Sequence, residues 1–231
     1  MKYKKIIKGQ FVSRPNRFIA RVLINGVEET VHVKNTGRCK ELLVDNATVY
    51  LYESDNPARK TKYDLIAVEK NTPNGTLLVN MDSQVPNDVA EEWLKECYLF
   101  SKNAVIKREF TYNKSRFDFY IEDGSRKAFL EVKGVTLEND GVASFPDAPT
   151  ERGIKHINEL VEAVKEGYEA YILFVIQLKG INLFVPNDLT HKAFGDALRN
   201  AQKSGVKIIA VDSIIEPDSI RIDEFVPVSL C

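Results

Sequence analysis

The chain has 231 residues, 44% hydrophobic and 28% charged, with a net charge of −1. That is ordinary for a soluble globular protein and long enough to bury a core in one large domain or two small ones. No apolar run approaches the ~20 residues of a membrane helix, the basic start MKYKKIIKGQ lacks the apolar stretch of a signal peptide, and Cys39, Cys97 and Cys231 are too dispersed for a zinc site or a disulfide framework. A cytoplasmic location with no membrane partner is expected. Cys39 lies between Arg38 and Lys40, which can lower a thiol pKa, but no acid or base partner is identifiable, so an inert thiol is expected.

The balance of charge hides an asymmetry. Residues 1–80 hold 14 Lys and Arg against 8 Asp and Glu, residues 81–231 hold 18 against 25, and the first 40 hold 10 against 2. Two modules are expected, divided at 1–81 and 82–231, with the first facing a polyanion. The bland alternative is a solvated lysine-rich start.

The first module reads as short strands. RFIARVLI (17–24) and ETVHVK (29–34) flank Asn25-Gly26, a hairpin signal. ATVYLYES (47–54), KYDLIAVEK (62–70) and TLLVN (76–80) follow, the last two separated by a turn at Pro73-Asn74-Gly75. Five strands in this length suit a small OB-like β-barrel, with Arg14, Arg17, Arg21, Lys34, Arg38 and Lys40 as phosphate contacts. Residues 82–99 read as a turn and a helix, capped by Asn87 or Asp88, with Trp93 in the core.

Three strands come next: AVIKREFTY (104–112), SRFDFYIE (115–122) and RKAFLEVKG (126–134). A loop over 138–149 leads to a helix over about 151–166, capped by Thr150 or Asp147, with Ile154, Ile157, Leu160, Val161 and Val164 as its apolar stripe. EAYILFVIQL (169–178) reads as a strand buried on both faces, INLFVPN (181–187) pairs with it or ends it, a helix covers about 190–204, and VKIIAVDS (206–213) is a further buried strand. The second module is therefore a mixed α/β domain, within an α+β/α/β two-module chain.

Within FLEVKG (129–134), Glu131 and Lys133 share the strand face opposite Leu130 and Val132. A two-residue turn at Gly124-Ser125 places Asp118 directly opposite Glu131, and a turn at Asp123-Gly124 still leaves them on one face; an odd-length loop or a bulge breaks the match. Two adjacent carboxylates repel unless a divalent cation joins them. Mg2+ or Mn2+ on Asp118 and Glu131, with the Val132 carbonyl as a further ligand, would activate water and polarise a phosphodiester, and Lys133 would hold the attacking water or stabilise the charge that develops. Glu-x-Lys alone is weak, since composition counting expects about 1.7 occurrences by chance. The competing reading is a charge cluster on a solvated sheet face.

Asp-x12-Glu-x-Lys on a strand hairpin followed by a helix resembles the PD-(D/E)xK nuclease fold. NTGRCKELL (35–43), SRFDFYIE (115–122), LEVKGVTLE (130–138), FPDAPTERGIKHINEL (145–160) and AYILFVIQ (170–177) together resemble the sugar fermentation stimulation protein family. The resemblance implies an N-terminal OB-like domain and a PD-(D/E)xK-type C-terminal domain. It also implies either a metal-dependent nuclease acting on DNA or RNA, or a non-catalytic DNA-binding transcriptional regulator of sugar (maltose) metabolism. On it, Asp118, Glu131 and Lys133 fall on the nuclease signature, and Glu109 is a candidate additional acid, with pairing to Arg108 or Lys107 as its alternative. The helix opened by TERGIKH would bring Lys155 and His156 towards the scissile phosphate, with a buried structural hydrogen bond as the alternative for His156. Arg116 and Arg152 are further candidates for contacting the nucleic acid. Asp147 caps the helix or reaches the metal through water. His32 and His191 read as structural. The oligomeric state is open, a homodimer included.

Overall fold

A computed structural model describes every residue except Thr36 and Asn74, so the expected turn at Pro73-Asn74-Gly75 lies partly outside the described residues. The first sheet contains β1 (Ile6–Asn16), β2 (Ile19–Ile24), β3 (Val27–Val33), β4 (Thr48–Glu53), β5 (Tyr63–Thr72) and β6 (Gly75–Asn80). Its order is β3-β2-β1-β4-β5-β6, and a parallel pairing of β3 with β5 closes it. The ring β1-β2-β3-β5-β4 is a five-stranded barrel of OB type. Asn25 and Gly26 both take positive φ (52° and 81°) in the β2–β3 hairpin, as a tight type I′ turn requires.

Strand β1 is absent from the sequence expectation. It pairs with β4 through Ile6–Gln10 and with β2 through Gln10–Asn16, bending from one neighbour to the other through irregular register. Gly9 permits the bend, because a Cβ there would lie 2.6 Å from Val22 Cγ1 and 2.9 Å from the Leu23 carbonyl oxygen.

The second sheet contains β7 (Val105–Tyr112), β8 (Ser115–Asp123), β9 (Arg126–Val135), β12 (Glu169–Ile176), β14 (Lys207–Glu216) and β15 (Ser219–Val226), in the order β15-β14-β12-β9-β8-β7. The pairs β9–β12 and β12–β14 are parallel, and the outer pairs are antiparallel. Helix α1 (Val85–Leu94) covers one face; α2 (Glu151–Lys165) and α3 (Asp188–Lys203) belong to the apolar cluster on the other. At the centre of the sheet β12 is buried on both faces from Ala170 to Ile176, which is why it is an apolar run.

Three expectations are corrected here. The stretch 138–149 is not all loop: β10 (Leu137–Asn139) and β11 (Val142–Phe145) form a small sheet. INLFVPN supplies β13 (Leu183–Pro186), which pairs in parallel with β11 and not with β12. Helix α1 begins at Val85, with Pro86 in its first turn, so neither Asn87 nor Asp88 caps it. The N-terminus also contacts the second sheet: Lys2 bridges Ser219, and the Tyr3 N–H donates to the Asp218 carbonyl (2.8 Å).

A buried polar network ties the modules together. Asp82 accepts from Lys34 Nζ (2.5 Å) and from the Tyr3 hydroxyl (3.2 Å). Gln177 Nε2, in the bend just after β12, donates to Asn80 Oδ1 (3.0 Å) and to the Asp82 carbonyl (3.0 Å). Every partner is satisfied, so the network orients one domain against the other instead of weakening the junction.

Candidate active site

The β8–β9 hairpin has the register expected of a turn at Gly124-Ser125: Asp123 pairs with Arg126, and the ladder runs on to Phe119 and Leu130. There it stops. Phe117 does not share the face of Phe119; its ring packs on Phe129 (5.1 Å between centroids) and edge-on against His156 (6.3 Å). The alternation slips at Asp118, whose Oδ2 accepts from the Val132 N–H (2.7 Å) and whose Oδ1 accepts from Asn87 Nδ2 on α1 (2.8 Å). Asp118 and Glu131 are thus neighbours across a locally opened strand pair, not a flat cross-strand pair.

Glu131 is 4% exposed. Its Oε1 accepts from Lys133 Nζ and lies 2.5 Å from His156 Nδ1. Arg152 Nε, which can only donate, faces His156 Nε2 at 3.5 Å, so the ring proton belongs on Nδ1, towards Glu131. The other oxygen, Glu131 Oε2, is buried and finds no hydrogen-bond partner among the described residues. A buried carboxylate oxygen left without a donor is costly unless a cation completes it. The donor set therefore fits a hard divalent ion.

The two carboxyls titrate apart. Burial, followed by the neighbouring Glu131 charge, pushes Asp118 above the usual carboxylate range against the pull of the Val132 N–H, Lys133 and Asn87. Burial also works to raise Glu131, but His156 and Lys133 outweigh it and hold that carboxyl below its ordinary range. Without a metal, one member carries the charge readily and the other resists it.

Helix α2 presents His156 because Thr150 caps it, its Oγ1 accepting from the Gly153 N–H (3.0 Å). His156 is buried on the same side as Ile157, Leu160 and Val161, beside the apolar stripe. Asp147 does not cap the helix: its Oδ2 accepts from the Arg38 N–H (3.3 Å), joining a barrel loop to the segment before α2. A Cβ on Gly37 would collide with that carboxylate, so glycine allows the approach.

Other expected residues lie elsewhere. Glu109 pairs with Arg116 (2.7 Å) on the exposed outer strands, not with Arg108 or Lys107, and is not brought to the carboxylates. Arg116 is engaged in that pair. Lys155 Nζ donates to the Lys114 carbonyl (2.8 Å), at the β7–β8 turn. Arg14 is not free for phosphate: it donates to the carbonyls of Arg38 (2.7 Å), Arg17 (2.8 Å) and Asn35 (2.7 Å). Lys34 is spent on Asp82, and Arg21 donates to Thr30 Oγ1 on the barrel wall. Arg17, Arg38 and Lys40 do converge, together with the already engaged Arg14, around a groove of about 500 Å3 that also touches Cys39, Leu43 and Ala148. Burial pushes the Cys39 thiol up to about 12, so it is inert. His32 pairs with Asp64 (3.0 Å), and His191 Nδ1 accepts from the Thr150 N–H (3.2 Å); both are structural.

Asn87 was missed as a partner of Asp118, since its place in the sequence looks like a cap. A second acidic group, Asp212, Asp223 and Glu224, is also new, but Lys179 Nζ sits among them at 3.0, 2.6 and 2.8 Å. That ammonium already supplies the cation.

An OB barrel joined to a mixed α/β domain, with strand-borne acids and a lysine near the junction, defines a two-domain class. Two family profiles match in that order: "SfsA N-terminal OB domain" over residues 12–80 and "Sugar fermentation stimulation protein RE domain" over residues 84–219. A sugar fermentation stimulation protein homolog of Desulfitobacterium hafniense is 60% identical over 230 residues, covering 100% of this chain and 99% of that protein. One from Clostridium beijerinckii is 56% identical over 100% of both. A solved structure, Pyrococcus furiosus SfsA in complex with Ca2+, superposes with a TM-score of 0.84 at 26% identity, covering 99% of this chain and 98% of that one. The chain belongs to the sugar fermentation stimulation protein family. No helix among the described residues is long and apolar enough to cross a membrane.

Proposed function

We propose that the chain is a metal-dependent nuclease that hydrolyses phosphodiester bonds in DNA or RNA, with the barrel holding the nucleic acid. The observation that carries this reading is the buried, partnerless Glu131 Oε2 beside Asp118 and Lys133. Asp118 and Glu131, with the Val132 carbonyl, would hold Mg2+ or Mn2+, which supplies Lewis acidity to the phosphodiester and to a bound water. The Ca2+ complex of the Pyrococcus furiosus relative supports a divalent-cation site in this fold.

The chain's own groups divide the remaining work. His156 and Lys133 hold Glu131 Oε1, so Oε2 would be the oxygen available to an ion. Asn87 and the Val132 N–H set the orientation of Asp118. Lys133, 16% exposed at its side chain, is sheltered enough for its ammonium to stabilise charge growing on phosphate oxygens. Arg17, Arg38 and Lys40 neutralise backbone phosphates, so binding weakens with salt. Hydrolysis of labelled DNA and RNA in Mn2+, lost in Lys133→Ala while binding persists, is the expected result. Binding that never leads to cleavage would leave a regulator without catalysis.

A further inference from the structure

The basic groove carries more than charge. Its rim is Arg17, Arg38 and Lys40, and its lining includes the neutral Cys39 thiol and Leu43. A patch built for phosphate alone would have no use for that apolar lining. Next to Arg17 on the same barrel turn stands Phe18, 49% exposed, with the Arg17 guanidinium 5.7 Å from its ring centroid. The ring is held outward by its backbone: its N–H donates to Asn16 Oδ1 (2.9 Å), and its carbonyl accepts from the Val33 N–H (2.8 Å). An exposed aromatic with a cation over one face is a stacking platform for a base. Paired bases keep their faces inside the duplex and cannot use it.

The far wall of the groove leads towards the acids. Ala148 lines the groove, and its neighbour Asp147 accepts from the Arg38 N–H. Asp147 also lines a smaller cavity of about 100 Å3 at the domain junction, together with Asn35, Ser83 and Gly134, the residue after Lys133. The two cavities thus meet neighbouring residues of one segment, Ala148 and Asp147, on the side of the groove that faces Gly134 of β9.

We propose that this groove binds single-stranded nucleic acid, one unpaired base stacking on Phe18 and the next lying in the groove over the floor that Leu43 and Cys39 form, with the phosphates on Arg38 and Lys40. The proposal rests on the nuclease reading above and specifies its substrate as unpaired strand. Charge complementarity and a volume suited to a nucleotide-sized ligand favour this occupant.

The test uses the full chain in chelator, so that no cleavage intervenes, with fluorescently labelled homopolymeric DNA, the matching RNA, and a DNA duplex. Single strands are expected to bind at least about tenfold tighter than duplex, and Phe18→Ala to lose about tenfold on single strands and nothing on duplex. Phe18→Trp keeps or improves binding, which a merely structural role for the ring would not produce. DNA and RNA bound alike means the bases and phosphates are read without the 2′-hydroxyl; a gap between them names the natural strand. Equal duplex binding, or Phe18→Ala without effect, overturns the proposal. In that case metal-dependent cleavage of duplex, assayed separately, still supports the nuclease reading, whereas no cleavage of any substrate removes the reading itself.

Discussion

Replacing Asp118 by Asn separates the metal site from the fold. Asn keeps an oxygen that can accept from the Val132 N–H and leaves an amide that Asn87 can match by turning its own. In chelator the variant is expected to be as stable as the wild type or slightly more so, by up to about 1 kcal/mol, because a carboxyl that burial and Glu131 discourage from ionising is gone. The sign follows from linkage. A raised folded pKa means that the folded state binds more protons than the unfolded one, so the wild type loses stability as pH rises above the usual Asp value of about 3.9 towards the raised one. A bound cation reverses that loss. At a metal concentration near a hundred times Kd, the gain is about 2.7 kcal/mol. For a chain of this size that raises Tm by roughly 5–10 °C. Differential scanning calorimetry in Mn2+, Mg2+, Ca2+ and chelator, at pH 5 and pH 8, reads all of this. The wild-type shift should be larger at the higher pH, and Asp118→Asn should show little shift at either. An equal metal shift in the variant, or a variant strongly destabilised in chelator, would refute the reasoning.

Lys34→Ala strands the buried Asp82 charge and should cost about 3–5 kcal/mol, seen in urea unfolding, instead of only weakening nucleic-acid binding. Arg38→Ala should leave Tm nearly unchanged and flatten the salt dependence of binding by about one unit of slope, while Arg14→Ala, which releases three carbonyls, should lower Tm. Burial aside, Glu169 is held well below the usual carboxylate range, first by Arg126 and then by Tyr171 and Lys207. A depressed folded pKa stabilises above the unfolded value, so Glu169→Gln should cost about 1 kcal/mol at pH 7 after solvent screening, shrinking as pH falls below about 4.3.

The hairpin register was legible because Gly124-Ser125 and the apolar alternation of β9 leave one economical pairing. The break at Asp118 was not, because it arises when Phe117 turns to pack on Phe129 and His156, a contact with a helix far along the chain. Strand β1 escaped notice because Gly9, Ser13 and Pro15 interrupt its pattern, and those interruptions let one strand serve two neighbours. The helix α2 and its apolar stripe were readable, and a buried hydrogen bond was one of two readings for His156, but its partner Glu131 was not, since that carboxylate lies on a strand far back in the chain. Among the basic residues, sequence cannot separate Lys34, which knits the fold, or Arg14, which lines the groove but is held by three carbonyls, from Arg17, Arg38 and Lys40 on the same groove. That sorting depends on where Asp82 and three loop carbonyls come to lie.

The most direct measurement is a cleavage assay on labelled single- and double-stranded DNA and RNA in Mn2+, comparing the wild type with Asp118→Asn, Glu131→Gln and Lys133→Ala. The account predicts metal-dependent hydrolysis by the wild type that is abolished by chelator and falls at least about a hundredfold in each variant, with binding in chelator retained. Cleavage that survives in all three variants, or a wild type that binds nucleic acid and never cuts it with either Mg2+ or Mn2+, would contradict it.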